Sequence, residues 1–184
     1  MGDFRTLADD DSRVEADEQG RLADQSLHAH TGRLVPKMYE VSDGVWCLVG
    51  NGLSNQTFVR GPEGIIAIDT GESVEEMRGA VDQLRRVSAE PVVAVVYTHF
   101  HYVNGTTALT DHEPIKAIWG HERITENLDR SATEIAPAYS RGLVEQFGMQ
   151  LPDEGPDGLV NVGLGLAYRM AHHAPSTPGY VPAD

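Results

Sequence analysis

One cysteine in 184 residues, Cys47, excludes an intrachain disulfide and any cysteine-based zinc cluster. A metal site in this chain must therefore be built from histidine and carboxylate. Basic residues are scarce as well: 14 Lys and Arg face 28 Asp and Glu, a formal charge of -14. Such a surface repels phosphate and disfavours a nucleic-acid partner. No apolar run approaches the roughly 18 residues of a membrane span. The N-terminus is acidic and polar, not basic then apolar, so no secretory signal is visible and a cytoplasmic location is expected. What is present is an ordinary globular balance, 40% hydrophobic and 23% charged. The length suits one domain with a core, or most of a larger one.

Residues 1–33 are the least core-like. Asp3, Asp9, Asp10, Asp11, Glu15, Asp17, Glu18 and Asp24 outnumber Arg5, Arg13 and Arg21, and few large apolar residues interrupt them. A stretch of that composition reads as a flexible tail, since it buries too little surface to offset its ordering entropy. A short helix docked on the domain is the competing expectation. His28 and His30 lie here at H-x-H spacing without strand signals and read as solvated.

From residue 34 onward the texture is that of a domain. Tyr39–Val41 and Val45–Val49 flank the hairpin pair Asp43–Gly44. Gln56–Arg60 and Ile65–Ile68 flank a Gly61–Pro62–Glu63–Gly64 turn. Ser73 with Glu76 is a capping-box pattern, after which Val74, Met77, Val81, Leu84 and Val87 recur at helical spacing. Val92–Tyr97 is β-branched and reads as a strand buried on both faces, parallel to Ile65–Ile68 through a right-handed crossover. Ile115–Trp119 predicts a further strand, and His121 to Phe147 a helical region broken near Pro137. The Gly- and Pro-rich stretch Leu151–Asp184 reads as ordered loop outside the core. Hairpins leading into βαβα make an α/β fold.

The chemistry concentrates directly after the Val92–Tyr97 strand, in Thr98–His99–Phe100–His101–Tyr102–Val103–Asn104–Gly105. Loops at the carboxyl ends of strands are where α/β sheets place ligands. Imidazoles at i and i+2 in a loop can turn to one side and share a metal. A catalytic zinc, however, needs about three protein ligands and an open position. A chance H-x-H pair that binds nothing is the rival reading.

Ile66–Ala67–Ile68–Asp69–Thr70–Gly71, one helix, a hydrophobic strand, then Thr98–His99–Phe100–His101 resembles the metallo-β-lactamase superfamily. Ser54–Asn55–Gln56–Thr57–Phe58, Trp119–Gly120–His121–Glu122, Gln146–Phe147–Gly148, Leu151–Pro152 and Val162–Gly163–Leu164–Gly165 narrow the resemblance to its alkyl-sulfatase-like branch. It covers residues 36–184. It implies the N-terminal part of an αββα sandwich, with residues 34–184 as a domain truncated at its C-terminus.

The superfamily's metal loop reads His-x-His-x-Asp-His. His99 and His101 match its first pair. Val103 and Asn104 stand where the aspartate and last histidine would hold a second metal, and neither is a good zinc donor. The resemblance thus implies at most one Zn2+, on His99 and His101. Restoring Asp at 103 and His at 104 is expected to raise metal uptake if the loop keeps the family's shape. Asp69 matches an aspartate that braces the loop from outside the ligand set, or it is an acidic residue at a helix entry. His121 is a candidate additional ligand, or a surface or capping residue. His172–His173 are weaker candidates. His112 reads as a solvated turn residue and Glu122 as a first-turn acid. Tyr102 either hydrogen-bonds a substrate oxyanion or packs its ring. Arg130, Arg141 and Arg169 are candidates for an anionic headgroup.

The function implied is hydrolysis of a sulfate ester or related ester, possible substrates including an alkyl sulfate, through metal-activated water. The alternative is a catalytically inactive fragment or binding module. A half-sandwich leaves one sheet face uncovered, so an oligomer or a missing C-terminal partner region is expected.

Overall fold

The computed structural model describes residues 11–165 and 176–184. Two short strands, β1 (Val14–Ala16) and β2 (Leu22–Asp24), pair antiparallel, and α1 (Gln25–Thr31) follows directly. Asp17 closes the hairpin: its Oδ1 accepts from the backbone N–H groups of Gln19 and Arg21, both at 3.0 Å, and its Oδ2 pairs with the Arg21 guanidinium. Asp24 caps α1 by accepting from Ser26 N at 2.8 Å. This unit is pinned to the Gly/Pro-rich segment through Arg21 Nη1 to Leu159 O at 2.9 Å and Asn161 Nδ2 to Thr31 Oγ1 at 2.9 Å. Over these residues the structure departs from a flexible tail, with Asp17 and Asp24 spent on caps and ion pairs. The docked-helix expectation matches α1. The acids Asp3, Asp9 and Asp10 lie outside the described residues.

The main sheet has six strands in sequence order: β3 (Lys37–Ser42), β4 (Val45–Val49), β5 (Gln56–Arg60), β6 (Ile65–Ile68), β7 (Val92–Val96) and β8 (Ala117–Trp119). β3 to β6 are antiparallel, while β6–β7 and β7–β8 are parallel. Gly44 takes φ 70° in the first hairpin, a conformation a side chain would resist. β4, β5 and β6 alternate with period two. Trp46, Leu48, Phe58, Ile65, Ala67, Val95 and Ile118 point into one core. That core is covered by α2 (Val74–Leu84), which buries Val74, Met77, Ala80 and Leu84.

Ser73 Oγ accepts from Glu76 N at 3.2 Å, so the expected helix cap forms. Its reciprocal arm does not. The Glu76 carboxylate is drawn away to Gln56 Nε2, at 2.6 Å, and to Glu72 N, at 3.2 Å. The helix stops at Leu84 and leaves Val87 exposed, short of the predicted periodic run. β7 is buried along most of its length, as its β-branched run predicts. A short α3 (Thr107–Thr110) then precedes β8. The helical region divides into α4 (Ile124–Thr133) and α5 (Ala136–Gln146), with Pro137 in the first turn of α5.

The C-terminal residues are loop, but the expectation that they stay out of the core fails. Tyr180, Val181 and Ala183 pack against it. Main-chain bonds from Val74 N to Thr177 O, Thr107 N to Gly179 O and Asp184 N to Ile118 O strap the segment across α2, α3 and β8. A loop can be buried in this way once its polar groups are paired.

Candidate metal centre

The loop after β7 is built around Asp69. This residue ends β6 with φ 59°, a left-handed conformation uncommon for a non-glycine residue. Its N–H donates to Val96 O at 2.9 Å, which ties the ends of β6 and β7 together. Its buried carboxylate holds Thr98 twice: Thr98 N donates to Oδ1 at 2.9 Å and Thr98 Oγ1 to Oδ2 at 2.6 Å. Asp69 therefore grips the loop's first residue.

His99 and His101 come together. Their ring centroids are 5.1 Å apart in an edge-to-face arrangement, close enough for both rings to reach one ion. His99 is exposed, with Nδ1 2.8 Å from Thr98 Oγ1. The Phe100 ring lies against His101 with centroids 4.1 Å apart. Burial, reinforced by the nearby His99, pushes the His101 pKa below the usual imidazole value. A neutral imidazole is the form a metal binds.

Beyond His101 the chain runs alongside the residues after β6. Thr70 N donates to Tyr102 O at 2.8 Å, Gly71 and Val103 form a parallel bridge, and Asn104 N donates to Gly71 O at 3.1 Å. The glycine at 105 is required: a Cβ there would overlap the Thr70 carbonyl oxygen and crowd Met77. Val103 is fully buried within the main core cluster, and Thr106 Oγ1 donates to its carbonyl at 2.8 Å. Its position is therefore not a ligand position with the wrong side chain. It is a core position.

A cavity of about 480 Å³ opens beside His101. Its polar wall includes Glu72, His101, Tyr102, Asn104 and Tyr139. Its apolar wall includes Leu53, Phe100, Leu128, Leu143, Phe147 and Leu164. Burial, then the charges of Glu72 and Glu76, raise the Tyr102 pKa; burial and Glu72 raise that of Tyr139. Both phenols are held protonated and able to donate. Packing alone does not exhaust Tyr102, which lines the cavity beside His101. Glu72, in the turn before α2, and Tyr139, on α5, carry no sequence signal of their own, since only the fold brings them to one wall.

The remaining candidates are dispersed. His121 is exposed, and its Nδ1 accepts from Arg123 N at 3.1 Å at the entrance to α4. His112 and Glu122 are exposed. Arg130 pairs with Glu134 at 3.2 Å, and Arg141 is exposed. His28 and His30 are not simply solvated: both are partly buried, with Nε2 atoms 3.1 Å from Glu15 O and 3.0 Å from Gly163 O. Arg169 and His172–His173 lie outside the described residues. Among the described residues no group of three His, Cys, Asp or Glu side chains is placed to hold one metal ion. The donor chemistry of His99 and His101 fits two ligands of a single zinc, and the burial of Val103 does not fit a second metal.

The family model for the metallo-beta-lactamase superfamily matches residues 49–181. A linear primary-alkylsulfatase from a Pseudomonas strain is 34% identical over 125 residues, which are 65% of this chain and 23% of the relative. An (R)-specific secondary-alkylsulfatase from Pseudomonas sp. is 32% identical over 138 residues, or 71% of this chain and 20% of that protein. The chain thus spans between a fifth and a quarter of the length of these relatives. A solved double mutant of the sec-alkyl sulfatase PisA1 superposes with a TM-score of 0.70 at 19% identity, covering 94% of this chain and 30% of that one. At that identity the match speaks to the fold alone.

Proposed function

Since the chain belongs to the metallo-β-lactamase superfamily, in its alkyl-sulfatase-like branch, we propose that it carries part of the site of a metal-dependent hydrolase for a sulfate ester or related small-molecule ester. The observation that carries this reading is the His99–His101 pair, set in the loop after β7, with His101 lining a half-apolar cavity. One zinc on that pair would supply an acidified water as nucleophile. His99 and His101 would hold the ion. Leu53, Leu128, Leu143 and Phe147 line a wall suited to an alkyl chain, which keeps bulk water from the reacting end. Protonated Tyr102 donates a hydrogen bond toward an ester oxygen. His121 remains a candidate further ligand that would have to turn from its bond to Arg123 N.

A second reading, an inactive module that binds a partner or ligand, is favoured by the buried Val103 and by the absence of a third donor beside His99 and His101 among the described residues. Elemental analysis and a sulfate-release assay on a medium-chain alkyl sulfate, with and without chelator, separate the two readings. Weak, substoichiometric zinc that disappears in His99→Ala/His101→Ala and survives His28→Ala/His30→Ala is expected, with slow or no turnover by this chain alone. Full zinc occupancy without His99 and His101 refutes the site. Rapid, chelator-sensitive turnover by this chain refutes the inactive-module reading.

A further inference from the structure

We propose that Thr98 is a positioning residue that keeps the proton of His99 on Nδ1, leaving Nε2 as the lone pair that meets the metal. The inference rests on the metal reading of the His99–His101 pair and adds a cause for its geometry. The argument is one of counting protons. A carboxylate only accepts hydrogen bonds, and a threonine hydroxyl has one proton to give. Asp69 takes that proton: Thr98 Oγ1 lies 2.6 Å from Asp69 Oδ2, while Thr98 N lies 2.9 Å from Oδ1. The grip leaves Thr98 Oγ1 with lone pairs only.

His99 Nδ1 stands 2.8 Å from that same oxygen. With the hydroxyl proton committed, the bond forms only if Nδ1 carries the hydrogen. A neutral imidazole has a single N–H, so Nε2 is unprotonated and free to ligate. The chain Asp69–Thr98–His99 thus does what a carboxylate in direct contact with a ligating histidine does elsewhere, one residue removed. Both ends of the relay are fixed. Asp69 is buried and tied to Val96 O, and the His99 ring is flanked edge-on by His101 and Tyr102 at centroid distances of 5.1 Å each. Asp69 therefore acts on the metal site through Thr98, without touching a histidine.

Nitrogen-15 NMR of the metal-free native chain tests the relay directly, at a pH of about 8.5 where histidine is neutral. His99 should show a protonated Nδ1 and an unprotonated Nε2, assigned by difference against His99→Gln. Thr98→Val should produce a mixture of tautomers and weaken zinc binding about 10–100-fold, read by competition with a chromophoric chelator. Thr98→Ser keeps the hydroxyl and should restore both readouts, which a purely structural role for the threonine methyl would not predict. A native His99 carrying its proton on Nε2 overturns the proposal, whatever the variants do. So does a Thr98→Val chain with native tautomer and native zinc affinity. A native chain that takes up no zinc, yet shows the Nδ1–H tautomer, overturns the metal reading and leaves the hydrogen-bond relay standing.

Discussion

Replacing Val103 by Asp and Asn104 by His restores the superfamily's metal-loop residues on paper, and the structure predicts that the two changes behave oppositely. Val103 has no exposed surface and lies in the main core cluster. Removing it forfeits about 1.5–3 kcal/mol of apolar burial. An unpaired carboxyl in its place adds a burial cost of about 2–7 kcal/mol. Together they make about 3.5–10 kcal/mol, a large part of the roughly 5–15 kcal/mol that holds a domain together. At about 2–4 °C per kcal/mol, the melting temperature should fall by at least ~7 °C. Asn104 differs, because it lines the cavity beside His101 while its main chain is held by Gly71 O and Gly179 N. Asn104→His should therefore stay within a few degrees of native and bring a third imidazole to the cavity, tightening zinc binding. The assay is thermal unfolding by circular dichroism with and without zinc, paired with chelator competition. A Val103→Asp chain that melts within about 3 °C of native and gains zinc affinity on its own refutes the assignment of residue 103 to the core.

Two further outcomes follow from other parts of the structure. Burial pushes the Tyr97 phenol up to about 12, against a usual value of 10.0, so the folded chain holds that proton longer than the unfolded one; its contribution is intact below pH 10, lost as pH rises through 12, and Tyr97→Phe should flatten that alkaline loss in pH-dependent urea unfolding. The outward-facing residues Val45, Val59, Ile66, Ile68 and Val96 are apolar and only partly buried, with Trp119 55% exposed beside them, so the chain should self-associate with concentration and Ile66→Lys should reduce this in sedimentation velocity; a native chain that stays monomeric at all concentrations contradicts it.

The sheet was legible because its strands carry strong local signals. Asp43–Gly44 and Gly61–Gly64 mark turns that a period-two pattern cannot cross, and the Ser73 cap sets the start of α2. Local pattern is weaker where tertiary contacts decide. Nothing in Asp17 or Arg21 announces that Leu159 O waits 2.9 Å from the guanidinium, so an acidic stretch that reads as a tail becomes a docked hairpin and helix. The same holds for Glu76, whose capping-box spacing is genuine but whose carboxylate is diverted to Gln56, a partner twenty residues away. At the site, His99, His101 and Asp69 stand out by type and spacing. Thr98 was visible only as the residue before the first histidine, since its role depends on which oxygen takes its one proton.

The pairing of residues 102–104 with 70–71 explains why the metal loop takes this form. Tyr102 O and Asn104 N both bond to that neighbouring segment, and the bridge between them falls at Val103. His101, Tyr102 and Asn104 line the cavity wall, while Val103, the bridge residue between them, is buried in the core. With that register, a carboxylate at 103 is excluded by the core before any question of metal affinity arises. Positions 102 and 104 give the cavity a phenol and an amide. On the proposed reading one ion would sit on His99 and His101, with Asp69 and Thr98 holding the loop behind it, and that phenol and amide would face the ester.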